Sequence, residues 1–196
     1  MLHKRITDIS QKYGLIHVGS CLTAVDMIDE IYAEKKKDER FILSCGHAGL
    51  ALYVVLEKYF GVDAEKLYLK HGTHPCRDQY IDCSTGSLGM GLIIAVGMAL
   101  ADRKKNVYCL LSDGECFEGS VWEAANVIRK YNVDNLRLYL NYNGWSAYDK
   151  VDGWFIERIQ TILPQLHVRR TRVEDYGLSG LSAHYSMIGP NNCVTA

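Results

Sequence analysis

Two short, largely apolar runs, each followed at once by a polar turn, limit the possible folds most strongly. Residues 107–111 lead into a Ser-Asp-Gly turn centred on Asp113, and residues 136–140 lead into a turn that contains Asn143. Apolar runs of this length, bounded by turn signals, are typical of buried strands in a parallel sheet. The 143 − 113 = 30 positions between Asp113 and Asn143 leave room for one helix. The pattern therefore predicts a strand–helix–strand unit.

The rest of the hydrophobic pattern continues this alternation. Thr23 is a suitable cap for the first helix, and Gly61 is a suitable stop for the second. Residues 71–86 are broken by glycine and proline and are predicted to form a loop. The fold class that follows is α/β, with a doubly wound, mostly parallel sheet flanked by helices. The predicted helices cover residues 23–33, 46–59, 63–70, 88–101, 118–130 and 152–163, and further strands cover residues 41–43 and 167–172.

Bulk composition excludes several classes of partner. The 196 residues predict one domain, 1–196, and 48% hydrophobic residues supply its core. A formal net charge of −1 argues against nucleic acid or an anionic membrane as the main partner. No apolar run approaches the roughly 20 residues that cross a bilayer. Seven cysteines, an odd number without a Cys-x-x-Cys pair, indicate reduced thiols in a cytoplasmic protein.

The two polar turns are expected to meet and to bind a metal ion. In parallel sheets, ligands bind outside the carboxyl ends of the strands, which is where Asp113 and Asn143 lie. A carboxylate and an amide oxygen suit Mg²⁺, which takes its remaining ligands from substrate phosphates and water. Gly114 has no Cβ, so a diphosphate can approach its backbone closely. These residues predict a site for a metal ion and a diphosphate.

A glycine-rich segment precedes the first of these strands. Residues 86–91 read Gly-Ser-Leu-Gly-Met-Gly and open the predicted helix 88–101. Free amides at a helix start bind phosphate oxygens, although such a string alone is a weak signal. The helix itself is apolar throughout, which predicts that it is fully buried or that it packs against another subunit.

Six motifs, in this order, resemble the amino-terminal, diphosphate-binding half of transketolase, a thiamine-diphosphate enzyme. The resemblance runs from about Tyr13 to Trp154. It covers a His-x-Gly loop, a strand-to-Gly-His turn, a further histidine loop, a glycine-rich helix start, a metal-site strand with its following helix, and a closing Asn-Gly. The motifs occupy residues 14–20, 40–48, 74–75, 84–91, 112–124 and 143–145.

The resemblance implies a role for each matching residue. Asp113 and Asn143 would hold Mg²⁺ or Ca²⁺ through side-chain oxygens, and Trp145 would do so through its backbone carbonyl. Glu118 resembles an interface glutamate that couples the cofactor sites of two subunits. Taken alone, it would be a carboxylate that favours a helix amino terminus. The residues implied to bind the cofactor are His47, Gly86, Ser87, Leu88, Gly114, Glu118 and Asn143.

Four histidines are implied to line the channel for the reacting carbonyl and the sugar hydroxyls. The motifs around His47 and His74 match the family well, and His17 lies in the first loop. The match around His184 is loose. An isolated histidine in a globular domain is usually structural or solvated, so these roles depend on the surrounding motifs.

The implied activity is transfer of a two-carbon ketol unit between sugar phosphates. The family also needs a pyrimidine-binding domain with an activating glutamate, and no segment of this sequence resembles it. The expectation is therefore a domain truncated towards its carboxy terminus, with a carboxy-terminal transketolase subunit as partner in a homodimer or heterotetramer. Two alternatives stay open: a thiamine-diphosphate enzyme that acts on 2-oxo acids, and a non-catalytic cofactor-binding or regulatory remnant.

Three departures from the family pattern bear on this interpretation. Ser112 replaces a glycine before the metal aspartate, and Trp145 replaces an aliphatic residue. The passage from Trp154 to His167 is shorter than usual, which indicates that a strand–helix unit has been lost. The polar tail at 186–196 is predicted to be mobile.

Overall fold

A parallel sheet lies at the centre of the computed structural model, which describes residues 1–187. The spatial order of its four strands follows their order in the described chain, and every neighbouring pair is parallel. This arrangement confirms the predicted α/β fold class. The strands are β1 (Arg40–Leu43), β2 (Val107–Ser112), β3 (Leu136–Tyr142) and β4 (His167–Arg170).

Helices connect the strands and cover both faces of the sheet. Within the described residues, no helix is long and apolar enough to cross a membrane. The helices are α1 (Leu2–Tyr13), α2 (Val18–Glu34), α3 (Gly49–Phe60), α4 (Ala64–His71), α5 (Met90–Ala101), α6 (Gly119–Tyr131), α7 (Gly153–Ile162) and α8 (Ser182–Tyr185).

Alternation along the strands divides the core into two layers. Phe41 and Leu43 of β1 pack with apolar residues of α1 to α4, whereas Ile42 packs with residues of α5, α6 and α7. Successive side chains of a strand point to opposite faces, so a strand buried on both faces must be apolar at nearly every position. All six residues of β2 are buried, and the first five are apolar or aromatic.

Most predicted elements occur close to their predicted bounds. Gly61 ends α3 in the left-handed conformation at φ 68°, as predicted. Residues 46–48 form a 3₁₀ turn before α3 instead of its first turn. Asp63 caps α4, because its side chain accepts hydrogen bonds from the N–H groups of Glu65 and Lys66. The pattern therefore located the elements better than their exact ends.

The first 34 residues differ from the prediction. The pattern predicts no helix for residues 2–13, yet α1 forms there, buries Ile6 and Ile9, and ends at Gly14 with φ 62°. The second helix begins at Val18 rather than at Thr23. The Thr23 hydroxyl donates to the Gly19 carbonyl one turn earlier at 2.9 Å, so it does not cap the helix.

The segment after β4 also differs from the prediction. Strand β4 ends at Arg170, and the following residues form a 3₁₀ turn at Val173–Tyr176 and the short helix α8. The prediction of mobility for 186–196 lies outside the described residues, apart from Ser186 and Met187. The six cysteines of the described chain are free thiols.

Helix α5 is not fully buried. Met90 is 38% exposed and Ile93 is 42% exposed, whereas Leu92 and Val96 are buried. One face of α5 therefore packs on the sheet and the other is an apolar surface. Its contact with another subunit stays a prediction.

Candidate cofactor site

The predicted metal residues meet at the carboxyl ends of β2 and β3. Ser112 pairs with Asn141 in the parallel register, which brings the turns after the two strands together. The Asp113 carboxylate accepts a hydrogen bond from the Gly144 N–H at 2.6 Å and another from the Gly114 N–H at 3.0 Å. Asp113 thus links the two loop tips, which the chain pattern predicted to lie close together.

Asp113 is a buried carboxylate that lacks a cationic partner. Its side chain is 0% exposed, and no lysine or arginine forms an ion pair with it among residues 1–187. Burial raises the pKa of Asp113 to about 7, although the backbone N–H groups of Gly144 and Gly114 oppose the shift. A divalent cation would supply the missing positive charge.

A second oxygen atom that could bind a metal ion, on the Asn143 side chain, belongs to the loop that Asp113 contacts. The Asn143 side-chain oxygen accepts a hydrogen bond from the Trp145 N–H at 2.9 Å and retains a second lone pair. In the described part of the chain, no group of three or more His, Cys, Asp or Glu side chains is placed to hold a metal. A site here must therefore combine one carboxylate with amide, carbonyl and ligand oxygens. That donor set fits Mg²⁺ or Ca²⁺.

A cavity of about 170 Å³ opens above these loops. It brings together residues from several separate parts of the chain, nine of which are predicted site residues. The cavity is lined by His17, His47, His74, Gly86, Leu88, Ser112, Gly114, Asn143, Trp145, Ser146, Ala147 and His184.

Three of the four histidines form a cluster. The ring centroids of His17 and His47 are 5.4 Å apart, and His184 lies 6.1 Å from His17 and 6.4 Å from His47. His17 has a left-handed backbone at φ 60°, and its N–H donates to the His184 carbonyl at 2.7 Å. Helix α8 therefore holds the loop that carries His17.

The cluster consists of neutral imidazoles near pH 7. Burial lowers the pKa of His47 to about 3, with smaller contributions from His17, His184 and His74. Burial also lowers the pKa of His17 and of His184. His17 Nδ1 and His184 Nε2 are buried atoms with no hydrogen-bond partner in the described residues. Buried nitrogens without a partner are rare in folded proteins, so they mark this cluster as a candidate ligand site.

Glycines allow the loops around the cavity to pack closely. A Cβ on Gly46 would lie 2.8 Å from the Thr85 backbone, and a Cβ on Gly91 would lie 2.5 Å from Ser44 Cα. A Cβ on Gly89, at φ 78°, would lie within 2.3 Å of the Ser120 hydroxyl oxygen. Larger side chains at these positions would separate the loops that line the cavity.

A family model described as the transketolase thiamine-diphosphate-binding domain matches residues 5–164. The chain belongs to this family. Membership extends the resemblance beyond the six motifs, to α1 and to the end of α7.

Curated relatives include transketolases and single transketolase subunits. Human transketolase is 39% identical over 152 residues, which cover 66% of this chain and 24% of the human protein. The 6-deoxy-6-sulfo-D-fructose transketolase subunit SqwG of Clostridium sp. is 36% identical over 165 residues, which cover 73% of this chain and 58% of that subunit. An apulose-4-phosphate transketolase subunit of Phocaeicola vulgatus is 32% identical over 161 residues, which cover 71% of this chain and 57% of that subunit. The chain thus spans less than two thirds of each of these relatives.

Solved transketolases share the fold. The enzyme of Campylobacter jejuni superposes with a TM-score of 0.71 at 24% identity, covering 90% of this chain and 37% of that one. The enzyme of Leishmania mexicana gives a TM-score of 0.67 at 17% identity, covering 87% and 35%.

Three of the predicted site residues lie beside the cavity rather than in its lining. Asp113 is buried beneath it, and Ser87 is exposed next to the lining residues Gly86 and Leu88. Glu118 is half-buried at the start of α6 and packs beside Gly89. The roles of Glu118 in subunit coupling and of Ser87 in cofactor binding stay predictions.

Sequence reasoning missed Glu115, which the transketolase fold buries completely below the site. Its carboxylate accepts a hydrogen bond from the Ser44 hydroxyl at 2.5 Å. Burial raises the pKa of Glu115, and the hydrogen bond from Ser44 partly offsets this rise. A glutamate two residues after Asp113, within a buried turn, was the available signal. Ser146 and Ala147 of the lining were also missed, because only the path of the chain after Gly144 brings them there.

Two departures from the family pattern have local explanations. The Ser112 hydroxyl donates to the Glu115 carboxylate at 3.3 Å, so it makes a specific contact as well as filling the turn. The Trp145 ring faces Gly180, where an added Cβ would lie 3.4 Å from the indole. The indole therefore packs against the segment before α8.

Proposed function

We propose that the chain is the amino-terminal subunit of a thiamine-diphosphate-dependent transketolase. With a separate pyrimidine-domain subunit, it would transfer a two-carbon ketol unit between sugar phosphates in the cytoplasm. One observation carries the proposal: the Asp113 carboxylate lies directly beneath a cavity lined by histidines, and it has no cationic partner in the described chain. Family membership and two relatives named as transketolase subunits support it.

Each part of the site has a function in this proposal. Asp113, Asn143 and the Trp145 carbonyl would hold Mg²⁺ or Ca²⁺, and the backbone at Gly114 and 86–88 would face the diphosphate. When bound, thiamine diphosphate supplies a nucleophilic carbon and an electron sink. The chain's own residues bind and orient this group and close the space around it.

The histidines would manage protons and hydroxyl groups. Because His17, His47 and His184 have lowered pKa values, each presents one donor and one acceptor nitrogen near pH 7. The free nitrogens of His17 and His184 would accept hydrogen bonds from substrate hydroxyls or donate to them. Several neutral imidazoles around one cavity suit a polyhydroxylated substrate better than a 2-oxo acid.

The test is Asp113→Asn in the complex with a pyrimidine-domain subunit. Loss of the metal ligand should weaken Mg²⁺-dependent binding of thiamine diphosphate at least about tenfold, as measured by calorimetry. Ketol transfer should fall in parallel. The control is Asp134→Asn. Asp134 is exposed and precedes β3 at the end of the strand away from the site, so this variant should bind the cofactor as wild type does.

Other outcomes would overturn parts of the proposal. Absence of Mg²⁺-dependent cofactor uptake by the wild-type complex would contradict the cofactor assignment. Activity restricted to 2-oxo acids would contradict the substrate class. Full activity of the complex with Asp113→Asn would identify the chain as a non-catalytic remnant.

A further inference from the structure

Glu115 makes contacts that neither the family resemblance nor the proposed metal site explains. Its side chain is 0% exposed and lies below the cavity rather than in its lining. One carboxylate oxygen accepts hydrogen bonds from the Ser44 hydroxyl at 2.5 Å and the Gly89 N–H at 2.9 Å. The other accepts from the Ser112 N–H at 2.8 Å and the Ser112 hydroxyl at 3.3 Å.

These donors belong to two distant loops and to the carboxyl end of β2. Ser44 precedes the turn that carries His47, and Gly89 follows the lining residues Gly86 and Leu88. Ser112 lines the cavity itself. The contacts to Ser44 and Gly89 span 71 and 26 positions of sequence. They therefore link distant loops rather than stabilise a single turn.

The chemistry of the contacts requires a carboxylate. An ionised carboxylate only accepts hydrogen bonds and can take about four, the number present here. A glutamine of the same shape would direct its amide donor at one backbone N–H, that of Gly89 or Ser112, and at one serine hydroxyl that would have to reverse its hydrogen bond. Bonds to a charged acceptor are also stronger than neutral ones, so few neutral side chains would hold the loops as firmly.

We propose that Glu115 is a positioning residue that fixes the amino-terminal end of α5 against the metal loop and the His47 turn. Its function is to hold the backbone of residues 86–88 in place for the diphosphate, without contact to the cofactor. The inference rests on the proposed function, because it concerns binding of thiamine diphosphate.

The experiment compares wild type, Glu115→Gln and Ser44→Ala in the complex with a pyrimidine-domain subunit. Calorimetry with thiamine diphosphate and Mg²⁺ measures affinity, and hydrogen exchange measures protection of the Gly89 amide. Glu115→Gln should bind the cofactor about tenfold more weakly and exchange the Gly89 amide at least about tenfold faster. Ser44→Ala removes one donor and should weaken binding about threefold.

The control is Glu157→Gln, an exposed glutamate on α7 that should leave affinity and exchange unchanged. If Glu115→Gln binds thiamine diphosphate as tightly as wild type while its Gly89 amide exchanges faster, the positioning role is overturned and the proposed function stays intact. Absence of cofactor binding by the wild type would overturn both. If Glu115→Gln fails to fold, Ser44→Ala decides, and unchanged affinity in that variant overturns the proposal.

Discussion

At the scale of single residues, the site combines charges that are costly to bury with groups that have no partner in the described chain. Asp113 lacks a cation, and nitrogens of His17 and His184 lack hydrogen-bond partners. Buried polar groups are nearly always satisfied in folded proteins. Polar groups that lack a partner in the described chain are therefore grouped around one cavity, as expected for a ligand-binding site.

The partly buried imidazole of His47 should make stability depend on pH. Its pKa falls from 6.5 to about 3 on folding, so below pH 6.5 the unfolded chain takes up a proton that the folded chain cannot. Without cofactor, stability should fall as pH drops from about 6.5 towards 3, with up to about 1.4 kcal/mol per pH unit due to this group.

Denaturant titrations of wild type and His47→Gln between pH 7 and pH 4 measure this contribution. The variant should show a shallower decline, because the contributions of all other groups are common to both proteins. Parallel profiles would show that His47 is solvated and protonates normally in the folded state.

At the scale of the element, α5 connects the site to the rest of the fold. Gly91 lies against Ser44, where a Cβ would approach Ser44 Cα to 2.5 Å. Gly97, nearly two turns later, has nothing within 4 Å of the position of its Cβ. The same helix thus contains one glycine that packing requires and one that it does not.

The two glycines provide a matched pair of substitutions. Gly91→Ala should destabilise the chain by about 1–3 kcal/mol, because α5 must move away from the loop after β1. Gly97→Ala should be neutral or stabilise by up to about 1 kcal/mol, since alanine favours a helix. Urea unfolding measures both. Equal stability of the two variants would contradict the close packing of α5 on Ser44.

At the scale of the whole molecule, several exposed apolar side chains lie on elements that adjoin the site. Met90 and Ile93 of α5 are exposed, as are Phe117 after β2 and Trp154 on α7. Phe155 lies between the two aromatic residues, with its ring 4.5 Å from Phe117 and 5.1 Å from Trp154. Exposed apolar groups near a binding site are typical of a subunit interface. We expect the pyrimidine-domain subunit or a second copy of the chain to cover them.

A charge on the exposed face of α5 should weaken assembly and leave the fold intact. Ile93→Glu is expected to weaken association at least about tenfold, because burying an unpaired carboxylate costs several kcal/mol. Sedimentation of the complex measures this, with circular dichroism to check the fold. Leu69→Glu, at a residue of α4 that is 62% exposed, is the control. Equal association of both variants would place the interface elsewhere.

Prediction from the sequence succeeded where the signal is local. The runs before Asp113 and Asn143 predicted neighbouring strands, and the structure joins their loops through the Asp113–Gly144 hydrogen bond. Helix α1 was missed although local signals mark it, because Leu2, Ile6 and Ile9 recur at helical spacing and Gly14 ends the helix. His184 could be matched only loosely, because a helix of four residues brings it to the site.

The sequence by itself determined the α/β class, the order of most elements and the residues at the ends of β2 and β3. Hydrophobic period and turn chemistry act over a few residues, so they can be read without coordinates. Only the tertiary structure decided that three of the four histidines form one cluster, that one face of α5 is exposed, and that Glu115 links two distant loops to the end of β2. These features depend on contacts between residues that are far apart in sequence, and no local pattern encodes such contacts.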